Sequence, residues 1–269
     1  MMTPQQIEDI EKQAWQNMFD IAPEKFRQEM KLYYEHVAGG ICQVFPGYPV
    51  VHFNMVLGLG FTKPVTIDVL QQVEAIYNKV SQPVYLIQFC ESIQRAEPAN
   101  VFEIMNYRVG GIWERIVWYA KPVAALPANR DIHVELVKHS TVNAWQDFIL
   151  DLYHYPAKGW LPAFVTDNWY NFIAIENDNI VACRSLFIDN DLAWSGVEAP
   201  VPVVMTNDLE PDRILWRYIQ QFCLLKNVKL IAADIEMPSP ERNTPIYTSF
   251  TELGFTVEYP RKLYRKNKV

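Results

Sequence analysis

The chain has 269 residues, half of them hydrophobic, 13% aromatic and 20% charged, a composition that builds a packed core and excludes disordered, collagen-like and coiled-coil chains. With 24 Lys and Arg against 31 Asp and Glu the net charge is −7, which argues against a dedicated nucleic-acid binder, whose phosphate contacts need a basic surface. The four cysteines form no CxxC or Cys/His cluster, and the first residues are acidic and amphipathic rather than basic and then apolar. A reduced, cytoplasmic chain without zinc, disulfides or a membrane span is therefore expected.

Thr3-Pro4 reads as an N-cap followed by proline at the first helical position, and Ile7, Ile10, Ala14 and Met18 continue at helical spacing, so a helix is predicted over 4–19. Two strand-like runs follow, 35–45 and 50–59, joined by Pro46-Gly47-Tyr48-Pro49 as the turn of a hairpin. Val69, Val73, Ile76 or Tyr77, and Val80 share one face of a helix; then come a buried strand over 83–89, a short helix near 98–106 and a strand over 111–120. Residues 121–130, with two prolines and no periodicity, suit a linker.

The second half opens with a strand over 132–139 and a helix over 142–154. Three strands come in series, 169–176, 179–188 and 192–204, punctuated by Asn177-Asp178 and Asp189-Asn190-Asp191. A strong helix spans 211–226, then a strand 228–236, a helix 244–252 and a strand 255–264 close the chain. The order helix, buried strand, short helix, final strand occurs once in each half, which reads as a duplication.

The second half resembles the GNAT (Gcn5-related N-acetyltransferase) superfamily, whose plan is an antiparallel three-stranded meander, a long helix, a strand, a short helix and a last strand. The local match is Asn243-x-x-Ile246-x-x-Ser249-Phe250-Thr251-Glu252-Leu253-Gly254-Phe255, similar to the family's N-x-x-A-x-x-L-Y-x-K-x-G-F. The first half resembles a more diverged copy, with the stretch NMVLGLG at 54–60. The resemblance implies a mixed α/β (α+β) chain of two GNAT-like domains, 1–125 and 126–269, with mostly antiparallel central sheets flanked by helices.

It further implies N-acyl transfer from acetyl-CoA to an amine, small-molecule or peptide. Acetyl-CoA would lie where the strands 192–204 and 228–236 splay apart, held by the backbone at Val201 and Val203, with Asn207, Arg213 and Phe250 around it. The family's pyrophosphate sits on a glycine-rich loop at the start of the long helix, where backbone N–H groups and the helix dipole meet the anion. Here that loop carries Asp208, Glu210 and Asp212, Pro211 removes a donor, and no glycine occurs between Gly196 and Gly254. Phe250 stands where the family commonly has a proton-donating tyrosine. Tyr247, one turn back, either serves instead or packs in the core.

Asp234 is the candidate base for the amine, or, with Glu236 and Glu241, a merely solvated acid. Two further readings stay open: a GNAT-fold binding protein without catalysis, and a transferase drawing on aminoacyl-tRNA. Gly58-Leu59-Gly60 lacks the third glycine of a dinucleotide loop and reads as a strand end with a tight turn. The five histidines have no metal-ligand spacing and no serine has a G-x-S-x-G context. The basic run from Arg261 to Lys268 reads as the solvated end of the last strand.

Overall fold

The computed structural model describes residues 2–46, 51–82, 84–123, 130–154, 157–200 and 208–266. The elements follow in chain order as α1 (Pro4–Asp20), α2 (Glu24–Met30), β1 (Tyr33–Val37), β2 (Gly40–Val44), β3 (Met55–Leu57), α3 (Ile67–Lys79), β4 (Leu86–Phe89), α4 (Val101–Ile104) and β5 (Tyr107–Tyr119). They continue as β6 (Ile132–Leu136), α5 (Val142–Tyr153), β7 (Trp169–Glu176), β8 (Asn179–Asp189), β9 (Leu192–Ala199), α6 (Glu210–Leu225), β10 (Leu230–Ile235), α7 (Pro245–Glu252) and β11 (Thr256–Lys266). The architecture is mixed α/β, and its sheets are mostly antiparallel.

Two compact units divide the chain, residues 1–114 with 259–269, and residues 115–258. In the first unit the strands lie in the order β1-β2-β3-β4-β11, with β3 and β4 parallel and β11 antiparallel to β4. Thr3 starts α1 with a full capping box: its hydroxyl accepts the Gln6 N–H at 3.3 Å and its own N–H donates to the Gln6 side chain at 2.9 Å. Helix α3 lays Leu70, Val73, Ile76 and Tyr77 against Val44, Val56 and Ile87 of the sheet, and the buried Tyr77 hydroxyl is satisfied by the Gln43 carbonyl at 2.8 Å.

One strand reading needs correction. Residues 35–45 are not a single strand but fall in a tight hairpin of their own, β1 and β2, turning at Ala38 and Gly39 with φ of 49° and 90°. Two positive φ values in a two-residue loop match the twist of the flanking strands. The expected pairing with the next run survives in β2 and β3, where Ile41 faces Leu57, although that run is a strand only over Met55–Leu57, behind a 3₁₀ turn at Val51–Phe53; Gly47 to Pro49 of the expected turn lie outside the described residues.

In the second unit the order is β5-β10-β9-β8-β7-β6, with β6 to β9 antiparallel and β9 parallel to β10. Helix α6 buries Leu215, Trp216, Ile219 and Cys223 against Phe172, Leu186 and Ile231 of the sheet. Its apolar residues recur every three to four positions, which is why the 3.6-residue period locates it in the sequence.

Candidate active site

The parallel ladder of β9 and β10 joins Leu192–Trp194 to Leu230–Ala232. Both strands run on past it, β9 to Ala199 and β10 to Ile235. Against β8 the register of β9 shifts: Arg184 faces Glu198 and Ser185 faces Gly196, so Val197 is the extra residue of a bulge, with φ of 53°. A β-branched residue rarely adopts that conformation, and bulges re-aim the side chains next to them. Here the bulge sets Glu198 on the same face as Arg184. From α5, the Tyr153 hydroxyl donates to the Glu198 carbonyl at 3.2 Å and fixes the bulge. At Gly196 an added Cβ would lie 2.0 Å from the Trp194 ring, so only glycine lets that indole fold along its own strand.

Arg184 is the hub. It is 1% exposed, its guanidinium lies 4.4 Å over the Trp216 ring, and it donates to Asp212 Oδ1 through Nε at 3.1 Å and Nη2 at 2.7 Å. It also bonds Ser195 Oγ at 3.4 Å and pairs with Glu198. On β10, Asp234 is paired with the buried Arg115 of β5 at 3.2 Å. Burial pushes the Glu198 carboxyl up; Arg184 pulls it back, but Asp212 and Asp234 add to the rise, and it ends above the ordinary carboxylate range. Burial opposes the charge on Arg184, but Asp212 and Glu198 outweigh it and hold the guanidinium firmly protonated. Of the five charged groups, Glu198 and Asp234 keep the most exposure, 17% and 11% of their side chains. A mostly buried carboxylate with a raised pKa that still keeps some exposure has the physical profile of a general base.

A GCN5-related N-acetyltransferase from Kribbella flavida superposes on this chain with a TM-score of 0.67, covering 100% of this chain and 97% of its own, at 10% identity. The chain has the GNAT fold. A tandem GNAT protein from the clavulanic acid biosynthesis pathway matches over 96% of this chain and 95% of its own, TM-score 0.57, 14% identity. A functionally unknown protein from Staphylococcus epidermidis matches over 91% and 98%, TM-score 0.58, 11% identity. No family model matches the sequence, and no curated protein does.

The turn that leads into α6 does not fit the pyrophosphate that the GNAT fold implies. From Asp208 onward several of its polar groups are taken within the chain. The Asp208 carboxylate accepts the Glu210 N–H at 3.3 Å and pairs with Arg130, which also holds Glu176 through Nε at 2.7 Å. Hydrogen bonding to Arg130 keeps the Glu176 carboxyl below its usual range. Pro211 has no N–H, and the Arg213 N–H is bonded to the Leu209 carbonyl at 3.0 Å. Glu210 and Asp212 put negative charge in the first turn, where the dipole favours it and a phosphate would be repelled.

The other expected site residues fall as follows. Asp234 joins the charged cluster, in the form of an ion-paired acid. Tyr247 is 3% exposed in the apolar core, and Phe250 packs between Trp216 and Phe255, with ring centroids at 5.9 and 5.2 Å. Arg213 is paired with Glu252 of α7. Val201, Val203 and Asn207 lie outside the described residues. Glu198, Arg184 and Arg115 escaped the sequence reading. The signal for the two arginines was present, since each interrupts an apolar strand, NIVACRSLFI and GIWERIVWYA, where a cation must find a partner.

In the first unit Arg261 corrects the expectation of a solvated end, while Arg265 is exposed and Lys268 lies outside the described residues. Arg261 is fully buried with Glu11 at 2.6 Å and Glu8 at 3.4 Å, Lys262 pairs with Glu91 at 2.6 Å, and Lys266 pairs with Glu74. Among the described residues no group of three or more His, Cys, Asp or Glu is placed to hold a metal ion, and no helix is long and apolar enough to cross a membrane.

Proposed function

We propose that the second unit is an N-acyltransferase that moves an acyl group from a thioester to an amine at the β9/β10 opening. What carries this reading is Glu198, a carboxylate of raised pKa that the Val197 bulge turns toward Arg184 on the sheet face of the GNAT fold. The amine nitrogen attacks the acyl carbon, Glu198 takes the proton that the nitrogen releases, the carbon–sulfur bond breaks, and the thiolate leaves to be protonated by water. Asp234, paired with Arg115, orients the amine, and the raised pKa of Glu198 makes Glu198 the base. Arg184 holds Glu198 in place, and its pairing with Asp212 ties β8 to the first turn of α6.

Acetyl-CoA is the donor that the fold implies. The proposal uses only its thioester end, because the described part of the turn into α6 carries Asp208, Glu210 and Asp212 where a diphosphate would sit. The acceptor is a small-molecule or peptide amine, and the four free, buried cysteines suit a reducing cytoplasm. The self-capped turn at Asp208 and Arg130 favours a second reading, a GNAT-fold binding protein without catalysis. Assay of acetyl-CoA against a panel of primary amines separates the two. Glu198→Gln should lower kcat by roughly 10²–10⁴-fold, as removal of a general base does, with KM for the donor nearly unchanged. An equal rate in Glu198→Gln would refute the assigned base, and no turnover with any amine would leave the binding reading.

A further inference from the structure

We infer that the strand opening of the first unit is a slot for a carboxamide, and that the chain fills it with its own Gln94. Parallel pairing of β3 with β4 covers Met55 with Leu86 and Val56 with Ile87. Beyond it, Gly58 and Gly60 carry the first strand's continuation through positive φ, 76° and 84°, while β4 ends at Phe89. The Gln94 side chain spans the ends of the two strands. Its Oε1 accepts the Cys90 N–H, and its Nε2 donates to the Leu59 carbonyl at 2.5 Å. Gln94, Leu59 and Cys90 are all buried, at 7%, 0% and 2% exposure.

The residues after Gln94 extend the same contact. The Arg95 N–H donates to the Gly60 carbonyl at 3.0 Å, the Val65 N–H to the Arg95 carbonyl at 2.8 Å, and the Glu97 N–H to the Val65 carbonyl at 2.9 Å. The backbone is shaped for this approach: a Cβ on Gly60 would meet the Arg95 N and O at 3.0 Å and the Phe89 ring at 2.9 Å. One strand end thus presents a buried acceptor and the other a buried donor, each of which must be matched. Only a group with a donor and an acceptor side by side matches both. A carboxylate would meet the Leu59 carbonyl lone pair against lone pair, and an ammonium would leave the Cys90 N–H unpaired. Since Gln94 fills the slot, the opening between β3 and β4 is closed among the described residues.

The test is chemical rescue in the whole chain. Gln94→Ala should unfold at lower temperature than wild type, and propionamide should raise its Tm in a saturable way, by roughly 3–5 °C at tenfold excess over its Kd. Propionate and propylamine should not, and wild type should respond to none of the three. Equal response of wild type and Gln94→Ala to propionamide, or a folded Gln94→Ala indifferent to it, would overturn the inference. Should Gln94→Ala fail to fold, Gln94→Glu replaces it. Its carboxyl must stay protonated to donate to Leu59, so its folded pKa lies above the unfolded value and its Tm relative to wild type falls as pH rises through that window. A Tm difference independent of pH between 4 and 8 would refute the slot.

Discussion

Replacing Arg184 with methionine tests the hub of the second unit. Methionine keeps much of the volume over Trp216 but leaves Asp212 and Glu198, 7% and 17% exposed, without their cation. Removing one partner of a buried pair costs about 3–5 kcal/mol, because the other charge remains buried. With an unfolding entropy of about 2.1 cal/mol/K per residue over a unit of about 140 residues, a loss of ~4 kcal/mol lowers Tm by about 13 °C. The sign with pH follows from Glu198. Its carboxyl is already raised by burial and loses the Arg184 charge that pulls it down, so below the unfolded glutamate value, about pH 4, it is protonated in both states and its share of the penalty vanishes. That share grows as pH rises through the raised folded value and is complete above it. Urea unfolding of wild type and Arg184→Met at pH 4 and pH 7.5 measures both terms, and Arg184→Met with Asp212→Ala should recover part of the loss. A difference below about 1 kcal/mol at pH 7.5, or one that does not shrink in acid, would refute the assignment.

Four further outcomes are expected. The rising limb of kcat/KM against pH should have its midpoint above the ordinary glutamate value, because burial raises Glu198 and the base must be unprotonated to act; Glu198→Gln should abolish that limb. Gly60→Ala should destabilise by roughly 2 kcal/mol or more, from its φ of 84° and the clash with Arg95, as read by urea unfolding. Arg261→Met should cost about 3–5 kcal/mol in the first unit, since Glu8 and Glu11 stay buried without it; thermal unfolding would show an early transition. All four cysteines are buried, and burial pushes the Cys183 and Cys223 thiols up to about 12, so a thiol reagent should titrate none in native protein and all four in urea.

Much of the fold could be read because apolar spacing survives in the sequence. The face of α6, the cap of α1 at Thr3 and the turns between β7, β8 and β9 are local signals, and each element stands where its signal lies. Helix α2 had no such signal: it is one short stretch with Pro23 before it and a left-handed Lys31 after it, and it buries only Phe26. The β1–β2 turn was hidden because its first residue is alanine, a residue that seldom accepts positive φ. The compact units divide inside β5 and β11. Alternation shows that a stretch is a strand, but not which core each end of it serves.

The site was legible in its charges and illegible in their partners. Asp208, Glu210 and Asp212 count as three carboxylates on one turn, and from the sequence that turn can only be read as hostile to anions. The structure changes the reason: Asp208 is held by Arg130 and Asp212 by Arg184, cations far away in the chain. A neutralised carboxylate repels a phosphate less than a bare one. Asp208 also takes the Glu210 N–H that a phosphate would use, and removing Asp212 takes a carboxylate from the buried Arg184. Asp212→Ala should therefore destabilise the unit, since it leaves the buried Arg184 with Glu198 as its remaining carboxylate, instead of simply freeing an anion site. If an added anion such as sulfate restored the stability of Asp212→Ala and not of wild type, the turn would be a phosphate seat closed by its own aspartate. If sulfate had no selective effect, the Asp212–Arg184 pair would be a structural tie between β8 and α6 alone.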